Sequence, residues 1–151
     1  MAIQKINLFL SKLYIKHIYI LESGILHGSD ITFFKKMLTA SENINDIDMT
    51  LALNQLSRFL YRYYGEKKVI ILLDEYDTPL QEAFINGYWD QMGDFTERLF
   101  NSTFKANPYM ERAIMIGITS MSKETMFSDF HNLNIITTTL DKYVDSFGFT
   151  E

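Results

Sequence analysis

The chain has 151 residues, enough for one domain with a real core, and its 47% hydrophobic and 22% charged content is ordinary for a soluble globular protein. A net charge of −5 argues against a broad nucleic-acid-binding face and leaves room only for a local basic patch. With no cysteine, disulfides, thiolate metal sites and Cys nucleophiles are excluded, and a reducing cytoplasm is the expected location.

The N-terminus carries no apolar run with a small-residue cleavage site, and Lys12, Lys16 and His17 interrupt the most apolar early stretch. No membrane span or membrane partner is expected. From residue 2 to about 21, Ile3, Ile6, Phe9, Leu10, Leu13, Tyr14, Ile18 and Leu21 recur at the three- and four-residue spacing of an amphipathic helix. Gly24 and Gly28 end it. Ser29-Asp30 offers an N-cap for a short helix bearing Ile31, Phe33, Phe34, Met37 and Leu38. Residues 39–48 are polar and turn-rich. Asp46 or Asp48 then caps a helix with Leu53, Leu56, Phe59, Leu60, Tyr63 and Tyr64 on one face, closed by Gly65.

A strand over 68–73 follows, apolar from Val69 to Leu73, as a parallel strand buried on both faces requires. It runs into Asp74-Glu75-Tyr76-Asp77-Thr78-Pro79, where Pro79 prevents its continuation. A helical turn or two is expected through Leu80, Ala83 and Phe84, closing at Asn86-Gly87. Asp90 can cap a further helix with Met92, Phe95, Leu99 and Phe100, stopped by Asn107-Pro108. Residues 112–118 read as a second apolar strand ending in Thr119-Ser120. A helical piece over 123–133 and a β-branched candidate strand over 135–140 complete the chain. The expected fold is α/β: one domain over residues 1–151, with a parallel sheet of two or three strands flanked by helices.

Ligands of open α/β sheets sit beyond the carboxyl ends of the strands, where Asp74, Glu75 and Asp77 emerge. Consecutive residues of an extended chain point to opposite sides, so two adjacent carboxylates can serve two roles. In nucleotide hydrolysis the Asp holds Mg²⁺ and the Glu orients or deprotonates the attacking water. Thr119 and Ser120, at the end of the neighbouring strand, would sense the γ-phosphate or that water. The plainer reading makes Asp74, Glu75 and Asp77 solvated turn residues capping a helix. The usual phosphate cradle, Gly-x-x-x-x-Gly-Lys-Ser/Thr, is missing, because none of the seven glycines precedes Lys-Ser or Lys-Thr. His17, His27 and His131 have no metal-ligand spacing and read as packing or surface residues.

Residues 69–79, with Asn86-Gly87-Tyr88, Asn107-Pro108-Tyr109, Gly117-Ile118, Lys123-Glu124, Phe127-Ser128, Asn132-Leu133 and the final Phe147-Gly148-Phe149-Thr150-Glu151, resemble the predicted AAA-ATPase-like family. That bacterial and archaeal P-loop group is often fused to a restriction-endonuclease-like nuclease domain. The resemblance implies ATP and Mg²⁺ as cofactors, with Asp74 and Glu75 as the Walker B acids: Asp74 for the metal, Glu75 for the water. It also implies that the segment from Gly117 to Lys123 is the sensor strand end, with Asp77 and Lys123 facing the nucleotide. Two departures stand out. The phosphate loop of the family lies upstream of everything matched, so the chain resembles a fragment that begins after it. Ser120 also stands where the family usually carries Arg, removing a charge suited to a phosphoryl transition state.

The resemblance therefore implies the Walker B and sensor half of an ATPase domain, incomplete alone, with a nuclease domain or another partner supplying the rest. A non-catalytic protein-interaction module is the alternative. A metal-dependent nuclease using Asp74, Glu75 and Asp77 is weaker, since no strand-borne Lys follows an acid at short spacing. The strand carrying a phosphate loop is expected to lie between strands 68–73 and 112–118, which predicts an apolar groove between them.

Overall fold

The computed structural model describes residues 2–39, 45–105, 107–118, 134 and 136. The helix expected over 123–133 lies outside those residues. So does the strand expected over 135–140 apart from Ile136, which is in no regular element. Eight helices and strands follow in order among the described residues: α1 (Ala2–Lys16), α2 (Tyr19–Glu22), α3 (Ser29–Leu38), α4 (Asp46–Tyr63), β1 (Val69–Leu73), α5 (Thr78–Ile85), α6 (Trp89–Phe100) and β2 (Met110–Met115). A π-helical turn, Asn101–Lys105, extends α6. No helix among the described residues is long and apolar enough to cross a membrane.

The first apolar repeat forms two helices where the spacing predicts one. At His17 and Ile18 the bonds tighten to i−3, His17 N to Tyr14 O at 3.0 Å and Ile18 N to Ile15 O at 3.2 Å. This is the 3₁₀-type closure common at helix ends. The re-aimed chain buries Ile20 and Leu26. Two expected caps are also reassigned. Gly28, at φ +53°, precedes α3 with no side-chain cap. The carboxylate of Asp30 instead accepts from Arg58 at 2.5 Å and Arg62 at 2.7 Å, tying α3 to α4. Asn45 caps α4 by accepting from Asp48 N at 2.8 Å. Asp46 and Asp48 lie inside the first turn, where their charge suits the helix dipole. Helix α6 starts at Trp89 after Tyr88, again without the side-chain cap expected from Asp90. Gly65 ends α4 as expected, at φ +64°.

Helix α4 is the spine. Its Ala52, Leu56 and Phe59 pack with Leu10, Tyr14, Ile20, Phe34 and Met37 of α1–α3 and with Leu26 of the connection between α2 and α3. Its Met49 packs with Leu80, Ala83, Met92, Phe95, Leu99 and Phe100 of α5 and α6. Leu53 touches both groups. Each fully buried Phe or Leu contributes on the order of 1.5–3 kcal/mol, so two clusters of this size account for most of the driving force.

The sheet is parallel with order β1-β2, in keeping with the α/β expectation. Val69 faces Met110 and Ile70 faces Arg112, so Glu111 is an extra residue that bulges β2 at its start. Two expectations about this sheet fail. The strands bond directly to each other, leaving no groove for a strand between them. A further strand could join only at an outer edge. Nor is β1 buried on both faces: Val69, Ile71 and Leu73 turn inward, while Ile70 and Leu72 are 62% and 72% exposed. Among the described residues, Leu73 and Met115 pack on the α5–α6 core, and Ile114 and Ile116 extend the bare face. An all-apolar run looks doubly buried in sequence whether or not its second cover is present.

Candidate functional site

At the carboxyl end of β1 the backbone turns sharply. Glu75 sits at φ +52°, the left-handed region that L residues other than Gly, Asn and Asp seldom occupy. The turn is closed locally. Asp74 Oδ1 accepts from Glu75 N at 2.9 Å, and Glu75 O accepts from Thr78 N at 3.1 Å as α5 begins. Both side chains, Asp74 and Glu75, are exposed. Pro79 occupies the first turn of α5, where its missing N–H costs nothing.

The chain after β2 runs beside this turn. Ile116 N donates to Leu73 O at 2.9 Å, and Tyr76 N donates to Ile116 O at 3.2 Å. Tyr76 then lies over Gly117: a Cβ there would stand 2.5 Å from Tyr76 Cε1 and 2.8 Å from Asp77 Oδ1. Only glycine permits that approach. Burial pushes the Tyr76 phenol pKa up, with a smaller contribution from the Asp77 charge.

Asp77 behaves unlike its two neighbours. It is 1% exposed, and its Oδ2 accepts from Gln81 Nε2 and from Ile118 N, both at 3.0 Å. Its side chain is engaged inside the protein, whereas the resemblance implies a nucleotide-facing carboxylate. Thr119, Ser120 and Lys123 lie outside the described residues. The last described residue before them, Ile118, leaves the sheet directly above Asp77.

The donor set decides what ion the site suits. Among the described residues no group of three or more His, Cys, Asp or Glu side chains converges to hold a metal. Mg²⁺ commonly takes one or two carboxylates and completes its shell with water and phosphate oxygens. A single exposed Asp74 at a strand end fits an ion shared with a nucleotide better than an all-protein cage.

The sequence reading missed the left-handed Glu75, the Tyr76–Gly117 contact and the inward Asp77. One signal was available: a glycine inside an otherwise apolar strand run marks a close backbone approach.

A parallel α/β sheet with acids where the first strand ends defines the class of protein. Within it, residues 10–127 match the family described as Predicted AAA-ATPase, and the chain belongs to that AAA-ATPase-like family. No curated protein and no solved structure matches it.

Proposed function

We propose that this chain supplies the metal-holding and water-orienting side of an ATP-hydrolysing site. Asp74 binds Mg²⁺, which when bound neutralises charge on the β- and γ-phosphate oxygens. Glu75 orients or deprotonates the attacking water. Thr119 and Ser120 read the γ-phosphate, and Lys123 faces the nucleotide. The observation that carries the reading is the turn at Asp74-Glu75. A non-glycine residue is held left-handed beside the end of a parallel neighbour, and such strain collects at functional sites.

The phosphates require a cradle that no segment of this sequence provides. We assign it to a nuclease-linked or separate partner that completes the domain. Ile70, Leu72, Ile114 and Ile116 favour such a partner, because parallel sheets are otherwise covered on both faces. The same bare face favours a second reading, a protein-interaction module with no chemistry. In that case partner binding survives Asp74→Ala combined with Glu75→Ala, and no hydrolysis accompanies it. The nuclease reading loses support because Asp77 is turned away from Asp74 and Glu75 towards Gln81 and Ile118.

The test joins to this chain a segment bearing Gly-x-x-x-x-Gly-Lys-Ser/Thr and measures phosphate release from ATP. Turnover should fall by about 10²–10⁴-fold in Glu75→Gln, the usual contribution of a positioned general base. MgATP affinity should drop in Asp74→Ala. Turnover indifferent to Glu75→Gln would rule out Glu75 as the residue that activates the water.

A further inference from the structure

The parallel ladder between β1 and β2 does not stop where the strands do. Ile116 bonds in both directions, through its N–H to Leu73 O and through its carbonyl to Tyr76 N. In a regular ladder the next donor on that edge is the N–H of residue 118, and the acceptor is the carbonyl of residue 75. Here that carbonyl is taken: the left-handed turn at Glu75 directs it to Thr78 N. Ile118 N instead finds Asp77 Oδ2 at 3.0 Å, an oxygen that also accepts from Gln81 Nε2 at 3.0 Å.

We propose that Asp77 is a positioning residue whose carboxylate replaces the missing strand carbonyl. It latches the chain leaving β2 to the Asp74-Glu75 turn. The latch reconciles two competing demands. The turn must break the strand to present Asp74 and Glu75 separately, and that break would release the end of β2. A buried carboxylate two residues beyond Glu75 restores the lost acceptor without straightening the turn. Gly117 belongs to the same device, since any side chain there would collide with Tyr76 and with Asp77 Oδ1. The position of Ile118, the last described residue of the stretch after β2, is thereby set by Asp77 and not by solvent. The functional part of this inference rests on the ATPase reading of Asp74 and Glu75. The latch itself does not.

Amide hydrogen exchange on the full chain, followed by NMR, tests it without nucleotide. In the wild type the Ile118 amide should be protected to the same order as Ile116. In Asp77→Ala its exchange should rise by about 10–100-fold, as expected for losing a hydrogen bond to a charged acceptor. The amides of Ile71 and Leu72 should hold their rates. Asp77→Asn should keep most of the Ile118 protection, because Asn Oδ1 can accept both bonds. An Ile118 amide as unprotected as an open loop in the wild type overturns the latch, and so does equal loss in Asp77→Asn and Asp77→Ala. The wild-type measurement decides the matter even if Asp77→Ala does not fold. If the latch stands while the loop-restored chain shows no Glu75-dependent turnover, the ATPase reading fails and the latch survives it.

Discussion

Replacing Glu75 by glycine should make the protein more stable. Holding an L residue in the left-handed region costs about 1–2 kcal/mol, and Glu75 sits there at φ +52°. Glycine removes that cost but raises the entropy of the unfolded chain, worth about 0.5–1 kcal/mol in the other direction. The net gain is therefore about 0.5–1 kcal/mol. Charge is a confounder, since Asp74 and Asp77 are close in sequence and the chain already carries −5. Glu75→Gln controls for this, because it deletes the same charge and keeps the Cβ. The quantity to measure is thus the difference between Glu75→Gly and Glu75→Gln in urea denaturation. With a slope of about 1–3 kcal/mol per molar for small proteins, the midpoint of Glu75→Gly should lie a few tenths molar above that of Glu75→Gln. Equal midpoints, or a lower one for Glu75→Gly, would show that the turn is unstrained and would remove the main support for a functional site there.

Gly117→Ala should destabilise by about 1–3 kcal/mol, because the added methyl meets Tyr76, which itself packs on Phe100 at a 6.3 Å ring separation. Thermal melting checks this, at roughly 2–4 °C per kcal/mol for a chain of this size, and an unchanged melting temperature would deny the close approach. Tyr14→Phe should cost about 0.5–1.5 kcal/mol in chemical denaturation, since the fully buried Tyr14 hydroxyl donates to Ala52 O at 2.7 Å. Stability should also fall at alkaline pH. Burial first, then its hydrogen bond with Tyr64, pushes the Tyr19 phenol up to about 12 from an ordinary 10. The folded state therefore favours the protonated phenol: its contribution is complete below pH 10 and is lost as pH rises towards 12. Tyr19→Phe should flatten that part of the stability–pH curve, leaving the share from Tyr14, whose phenol burial also raises.

Helices with three- and four-residue apolar spacing were legible, because each buries one stripe whatever its neighbours do. The α4 face of Leu56 and Phe59 and the α6 face of Met92, Phe95 and Leu99 lie where the periodicity puts them. The break at His17-Ile18 was not legible. Neither residue is a helix breaker, and the turn serves the distant burial of Ile20 and Leu26. Caps misled for a related reason. Asp30 is a sound N-cap residue on local grounds, but two arginines from α4 offer its carboxylate stronger partners. The acidic strand end was found, yet its three carboxylates looked alike. What separates the buried Asp77 from the exposed Asp74 and Glu75 is the return of β2 some forty residues later. No local pattern encodes that contact.

Helix α4 lends residues to both hydrophobic clusters, and Leu53 belongs to each. A helix common to two cores couples them, since any opening that unwinds α4 takes away the surface on which the other core packs. Substitutions around Phe34 and Phe59, remote in sequence from Asp74, should therefore lower the protection of the strand end as well as that of α1–α3. Variation in the helical half of this family would then reach its acidic turn as a change in how often that turn opens, with no residue of the turn altered.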